Sequence, residues 1–336
     1  MNKNLAVILA LVLVIALTAA CGNNDNASDN AGASSSAAPS SAAASPSASE
    51  PAEPAAATTL EAKHKYGVTT IPANPQNAFV TLQRFADPLL ALGIKPGTII
   101  ALGNVDHLKD YIDGVNILSD FPAKPEAVLA AKPDFVLGDP WVEQTTYDQL
   151  SKIAPTIVLG EGDKPMTWRD VFLYLAETFG KKAEYDAFMA KYNEKAAAAK
   201  EELAAKLKDE TVMILRVEQN RIMLWGNGDG FTEEVLYKDL GLKSPANLPQ
   251  SWTDISLEAL TDYDADHIFL EVRSTAEGSK KFFDDQVAGS AVWKSMKAVQ
   301  NNHVYPIASD LWVEGNGPIA YMAVIDQVRE YLLGGA

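Results

Sequence analysis

Arginines and tryptophans recur in this chain where short apolar runs end, and that placement defines the chemistry available to it. Arg84 follows the run Ala78–Leu82, one residue after Gln83. Arg216 lies at the end of Thr211–Val217, Arg221 opens Ile222–Trp225, and Arg273 follows His267–Val272. Trp141 comes just past Asp134–Gly138, Trp225 ends its own run, and Trp312 follows His303–Ile307. His107, with Asn104, follows Thr98–Leu102. A guanidinium pairs with carboxylate or phenolate oxygens through a fixed fork of N–H groups, and it stacks on aromatic faces. An indole adds a flat apolar surface. Arg84, His107, Trp141, Arg216, Arg221, Trp225, Arg273 and Trp312 together suit a planar or anionic ligand. Each residue type also has an ordinary role, a surface ion pair for an arginine and core packing for a tryptophan.

Catalytic and metal-binding patterns are absent from the sequence. It contains no Gly-x-Ser-x-Gly, no glycine-rich phosphate loop, no His-Glu-x-x-His and no dinucleotide fingerprint. His64, His107, His267 and His303 are scattered without zinc-site spacing. Trp225-Gly226-Asn227-Gly228-Asp229-Gly230 forms a turn and lacks the ligand spacing of a calcium loop. Cys21 is the single cysteine, so one chain can form neither an internal disulfide nor a multi-cysteine metal site. No catalytic residue, metal ligand or cofactor is assigned.

The elements that must position these residues alternate. Strands fit Ala78–Leu82, Thr98–Leu102, Asp134–Gly138 and Thr156–Leu159, with helices near Phe85–Gly93, Pro125–Ala131 and Thr145–Ile153. Val- and Ile-rich strands separated by helices imply parallel βαβ units, and ligands in such sheets bind outside the carboxyl ends of the strands. The second half repeats the pattern. Its strands fit Thr211–Val217, Ile222–Trp225, His267–Val272 and His303–Ile307; its helices fit Phe231–Leu240, Ser290–Val299 and Pro318–Leu333. Between the halves, Ala183–Lys208 carries Tyr185, Phe188, Met189, Tyr192, Ala196, Ala199, Leu203 and Leu207 in steps of three and four, with no Gly or Pro. A helix of that length runs about 40 Å; it is either an ordinary crossover or a stiff strut, and as a strut it would let the two lobes hinge little. The expected fold is α/β, two Rossmann-like lobes with this long helix between them.

The N-terminus reads as an export signal. Lys3 precedes the uncharged run Leu5–Ala20, which ends in Leu17-Thr18-Ala19-Ala20-Cys21. At 16 residues the run is shorter than the roughly 20 a spanning helix needs. Leu-Thr-Ala-Ala-Cys resembles the lipobox of bacterial lipoproteins, with Cys21 as the lipidated residue. Gly22–Thr58 holds 26 Ala, Ser and Pro residues among 37, with no aromatic residue and no Lys or Arg. Such a stretch makes a disordered tether spanning roughly 30–35 Å. The expected organisation is a signal peptide over 1–20, lipidated Cys21 and tether over 21–58, a first lobe over 59–182, the connecting helix over 183–208 and a second lobe over 209–336. The whole chain carries a net charge of −16, and the folded part keeps about −13 of it, which argues against a nucleic-acid partner or adhesion to an anionic membrane surface.

From Gly67 onward a series of stretches resembles the iron-siderophore and vitamin B12 class of ABC-transporter substrate-binding lipoproteins. They are Ala91-Leu92-Gly93-Ile94-Lys95-Pro96, Pro125-Glu126-Ala127-Val128-Leu129-Ala130-Ala131-Lys132-Pro133-Asp134, Ile153-Ala154-Pro155-Thr156, Asp254-Ile255-Ser256-Leu257-Glu258-Ala259-Leu260, Asp264-Ala265-Asp266-His267-Ile268-Phe269-Leu270, Lys297 to Tyr305 and Ser309-Asp310-Leu311-Trp312. The resemblance implies two α/β lobes joined by one long rigid helix, a shallow cleft between them, no catalysis, and delivery of a solute to the permease of an ABC importer. It implies a ferric siderophore as ligand, with iron arriving inside its chelator. Arg84, Arg216 and Arg273 favour a hydroxamate or carboxylate complex, with a catecholate next. The resemblance further implies a lipid-anchored monomer on the outer face of the cell membrane, with Glu126 and Glu314 projecting to dock the permease. Cobalamin or haem on the same fold, and an exported hydrolase, remain alternatives. One departure is Pro75-Gln76-Asn77-Ala78-Phe79, where the family usually has Pro-x-Arg-Val-Val.

Overall fold

Valine-, isoleucine- and phenylalanine-rich runs form two five-stranded sheets, each with both faces covered. The computed structural model describes residues 58–160, 166–228 and 230–334, all within one unit, Ala55–Ala336. The expected signal peptide, Cys21 and all but the last residue of the tether lie outside the described residues. A hairpin of β1 (Thr59–His64) and β2 (Gly67–Pro72) opens the fold. It was not expected from the sequence. The first sheet has the order β5-β4-β3-β6-β7, from β3 (Ala78–Val80), β4 (Thr98–Ile100), β5 (Asn116–Leu118), β6 (Phe135–Gly138) and β7 (Thr156–Val158), all parallel. Helices α1 (Gln83–Ala91), α2 (Pro125–Ala131), α3 (Gln144–Leu150) and α4 (Trp168–Thr178) complete this lobe.

The second sheet has the order β10-β9-β8-β11-β12, from β8 (Val212–Glu218), β9 (Arg221–Leu224), β10 (Thr253–Ile255), β11 (His267–Val272) and β12 (Val304–Pro306). It departs from the expected all-parallel arrangement. β8 and β9 form an antiparallel hairpin whose turn places Gln219 at φ +54°, and β10 returns antiparallel to β9. Two residues between Glu218 and Arg221 cannot house a crossover, so the chain must turn back. β10 therefore runs parallel to β8. In each lobe an aspartate ties the central strand to its neighbour. Asp134 accepts the Gln76 and Asn77 N–H groups before β3, and Asp266 accepts the Thr211 N–H at 2.8 Å before β8.

α5 (Lys182–Leu207) joins the lobes and buries Tyr192, Ala196, Ala199, Leu203 and Leu207, the stripe expected from the spacing. Short helices α6 (Ser279–Phe282), α7 (Ala291–Ser295), α8 (Lys297–Gln300) and α9 (Ser309–Trp312) precede the C-terminal α10 (Pro318–Leu333). The single helix expected over Ser290–Val299 breaks at Met296, whose ψ of 136° is extended. The helix expected over Phe231–Leu240 is a π-helical turn, Glu234–Asp239. Arg169 grips carboxylates at both its ends, five residues apart, which matches the wider π spacing.

Alternation along the strands decides where the core sits. Ala78, Val80, Phe135, Leu137 and Ile157 of the first sheet, with Val212, Ile214 and Phe269 of the second, enter one continuous cluster with α4, α5 and α10. Phe79, Ile100 and Val136 point to the opposite face of the first sheet; Met213, Leu215, Val217, Ile268 and Leu270 point to that of the second. The lobes thus share a core, and opening them would expose close-packed apolar surface.

Candidate functional site

The carboxyl ends of β3, β6 and β7 open onto a cavity of about 490 Å³. Arg84 and Pro88 come from α1, Trp141 from the segment after β6, Trp168 from the first turn of α4, and Lys65 from the hairpin turn. Phe231 lines it from the second lobe, and Asn316, Gly317 and Pro318 close it at the start of α10. Trp141 is 60 % exposed and Phe231 40 %, high values for large apolar groups in a concave site. Lys65 Nζ donates to the Pro140 carbonyl at 2.8 Å and the Val142 carbonyl at 3.3 Å, fastening the hairpin to the segment that carries Trp141.

Arg84 is held from several sides. Its guanidinium lies 5.5 Å from the centre of the Trp141 ring, and its Nη2 donates to Glu314 Oε2 at 2.6 Å. The other oxygen of Glu314 accepts from Nη2 of Arg273 at 3.1 Å. Arg273 Nη1 also lies 3.5 Å from Glu218. Arg216 forms a bidentate pair with buried Glu271, its Nη2 at 3.0 Å from Oε1, and lies 5.2 Å from the Trp225 ring centre. Arg221 reaches Glu218 at 3.8 Å and Asp254 at 3.4 Å. Beside Arg84, Asp139 accepts from Thr81 Oγ1 at 2.7 Å and from the Trp141 N–H at 2.9 Å. Burial pushes the Asp139 pKa upward, against those hydrogen bonds and the Arg84 charge.

Behind the cavity lies Asp87, fully buried in α1. Its carboxylate accepts the N–H groups of Ile319 and Ala320, at 2.8 and 2.9 Å, and so caps α10 from another helix. Gly317 is required there, since a Cβ would stand 2.4 Å from Asp87 Cγ. Burial raises the Asp87 pKa to about 7, although both N–H groups oppose the shift.

The structure redistributes the expected site residues. Arg84 and Trp141 line the cavity; Arg273 reaches it through Glu314. Trp312 does not belong to the site. It is 1 % exposed, its Nε1 donates to Gln327 at 2.7 Å, and it packs 4.8 Å from Phe269 in the core. Trp225 is half-buried against the shared core, since β9 runs antiparallel and carries its far end away from the carboxyl ends of β8 and β11. By the same reversal Arg221, at the start of β9, lies with Glu218 at the end of β8. His107 stands on a one-turn helix packed near α10, with Nε2 buried and unpaired. Burial pulls its pKa to about 4, against Asp106, so its imidazole is neutral. Glu314 is corrected as well. At 6 % exposure it is no surface carboxylate, because two guanidiniums hold it inside. Glu126 is exposed in the first turn of α2 as expected. Sequence reasoning missed Lys65, Trp168 and Phe231. Trp168 opens an amphipathic helix behind Thr167, whose capping box with Asp170 was legible, whereas Phe231 carried no local signal.

Among the described residues no group of three or more His, Cys, Asp or Glu is placed to hold a metal ion, and no helix is long and apolar enough to cross a membrane.

Two sheets of matching order, a connecting helix and a cation- and aromatic-lined cleft define a solute-binding protein. The family model described as "Periplasmic binding protein" matches residues 89–311, and the chain belongs to that family, whose members are transport components and not enzymes. It is 27 % identical over 300 residues to "Probable siderophore-binding lipoprotein YfiY" of Bacillus subtilis (strain 168), covering 84 % of this chain and 90 % of that one. It is 28 % identical to the iron(3+)-hydroxamate-binding protein FhuD of the same organism, over 90 % of each chain. Among solved structures it resembles Staphylococcus aureus SirA complexed with staphyloferrin B, at 26 % identity and a TM-score of 0.69, covering 82 % of this chain and 99 % of that one.

Proposed function

We propose that this protein binds a ferric siderophore in the cleft between its lobes and hands it to the permease of an ABC importer. The observation that carries the reading is the cavity of about 490 Å³, walled by Trp141, Phe231 and Trp168 with Arg84 set among them. An octahedral iron chelate presents a compact apolar flank and a ring of oxygen atoms. Exposed aromatic faces suit the flank, and guanidinium N–H groups suit the oxygens. Relatives named for siderophore and iron(3+)-hydroxamate binding support the same ligand class. The iron is cargo and keeps its chelator as ligand.

The proposed working form is a monomer, lipidated at Cys21 and tethered on the outer face of the membrane. Docking to the permease falls to Glu126 and, in place of the buried Glu314, to Glu258. The two are equivalent in the fold. Each stands past the carboxyl end of an edge strand, β5 or β10, in the first turn of a helical segment. Each also lies eight residues before the aspartate, Asp134 or Asp266, that ties its lobe's central strands. Both glutamates are exposed.

Native mass spectrometry of the full chain in detergent, against ferric hydroxamate, carboxylate and catecholate complexes, cobalamin and haem, tests the ligand class. Retention of a one-to-one ferric siderophore complex is expected. Exclusive retention of cobalamin or haem would replace this ligand with another on the same fold.

A further inference from the structure

Every arginine that could meet an anion in or beside the cleft already has one. Arg84 and Arg273, from different lobes, share Glu314; Arg273 also approaches Glu218; Arg216 is locked to Glu271; Arg221 lies between Glu218 and Asp254. Four guanidiniums thus face four carboxylates, and Lys65 ends on two carbonyl oxygens. We propose that Glu314 sets the charge selectivity of the cleft, neutralising Arg84 and Arg273 together so that the site favours ferric complexes of little net charge, the trihydroxamate class, over polyanionic ones. This inference rests on the ferric-siderophore reading and narrows it.

A polyanion could engage Arg84 or Arg273 fully only by evicting Glu314 or by lying close to it. Eviction is costly. The Glu314 side chain is 7 % exposed, and its backbone N–H is fixed to the Ser309 carbonyl at 2.9 Å. A carboxylate turned away from both partners in such a place is an unpaired buried charge. Sharing the arginines brings like charges together. A neutral complex meets neither penalty. Glu314 takes only the Nη2 of Arg84, so a guanidinium with five N–H groups still has donors for hydroxamate oxygens. Trp141 and Phe231 supply contact area that is indifferent to charge. The homologies do not decide between these classes, but this placement of one carboxylate between two lobes does.

The test measures, on the full chain in detergent, the dissociation constants of ferrichrome, an electrically neutral ferric trihydroxamate, and of the anionic ferric dicitrate complex. The quantity read is their ratio. Wild-type protein should prefer ferrichrome. Glu314→Gln should move the ratio about tenfold toward dicitrate, the scale of one unit charge acting across a partly buried site. Glu314→Asp, which keeps the charge, should hold the ratio near that of wild type. Arg273→Gln, which leaves the carboxylate in excess, should move it the other way, and it carries the test if Glu314→Gln fails to fold. A wild-type preference for dicitrate, an unchanged ratio in Glu314→Gln, or an equal change in the Gln and Asp variants would overturn the role of Glu314 while leaving siderophore binding intact. Failure of wild type to bind any ferric complex would overturn the functional reading, and this inference with it.

Discussion

At the scale of single residues, Trp141 and Asp87 make separable predictions. Trp141 lines the cavity beside Arg84 and stays 60 % exposed, so it is not a core residue. Trp141→Ala should therefore weaken ferric-siderophore binding about tenfold or more, in line with the area an aromatic ring buries, while the melting temperature moves by less than about 2 °C. It should also remove much of the tryptophan quenching that accompanies ligand addition. An unchanged affinity would move the ligand away from this wall. Asp87 is a stability residue with a pH signature. Its folded pKa is raised by burial, so the folded state holds this proton more tightly than the unfolded chain does. The corresponding stability is present below the ordinary carboxylate pKa and is lost as pH rises toward about 7. Asp87→Asn should abolish this group's part of that decline, seen as a flatter melting-temperature profile between pH 4 and 7. A profile identical to wild type would remove Asp87 from this role.

At the scale of elements, α5 matters less as a lone strut than as one wall of a joint. Arg169 of α4 reaches Glu234 at 2.6 Å and Asp239 at 2.7 Å on the π-helical turn of the second lobe. Tyr192 of α5 donates to the same Asp239, and the Arg169 guanidinium lies 4.2 Å from the Trp168 ring centre. Along the other side, Arg329 of α10 pairs with Glu202 of α5 through two hydrogen bonds of 2.9 Å. The lobes are thus latched by ion pairs over a shared apolar core. Small-angle scattering with and without ligand should give nearly the same radius of gyration, and a closure of several ångströms would contradict the joint. Arg169→Met should lower stability by about 1–3 kcal/mol, since it leaves two partly buried carboxylates without their partner. It should also increase the ligand-dependent change in scattering. Arg329→Met, at an exposed pair, should cost under about 1 kcal/mol.

At the scale of the molecule, delivery requires that the protein be held near the permease and meet it correctly. A Glu126→Ala, Glu258→Ala variant should bind siderophore normally in solution and fail to restore radio-iron uptake in cells lacking the native copy, because rim charges govern encounter more than they govern folding. Glu314→Ala, by contrast, should disturb binding itself. Normal uptake by the Glu126, Glu258 variant would end the docking assignment. Cys21→Ala should abolish fatty-acid labelling; persistent label would place the lipid elsewhere.

Much of this architecture was written locally. The apolar stripe of α5, the Val- and Ile-rich strands and the Pro-Asp and Ala-Asp starts of β6 and β11 depend on neighbours a few residues away, so periodicity exposes them. The strand-end rule likewise found Arg84 and Trp141, because βαβ topology brings those loops to one rim whatever else the chain does. The charge state of the cleft was not local. Arg84 and Glu314 are 230 residues apart, and no spacing announces that one carboxylate will serve arginines of both lobes. Trp312 looked like a ligand contact because its strand ends at the cleft, yet its ring turns into the core beside Phe269. β9 looked like one more parallel strand until a two-residue turn reversed it and exchanged the places of Arg221 and Trp225. The sequence by itself determined the strands of the βαβ units, the helix between the lobes and the rim that their strand ends form, since short-range geometry governs them. Only the tertiary structure decided which charges stay available to that solute, because pairing between distant carboxylates and guanidiniums is settled by packing.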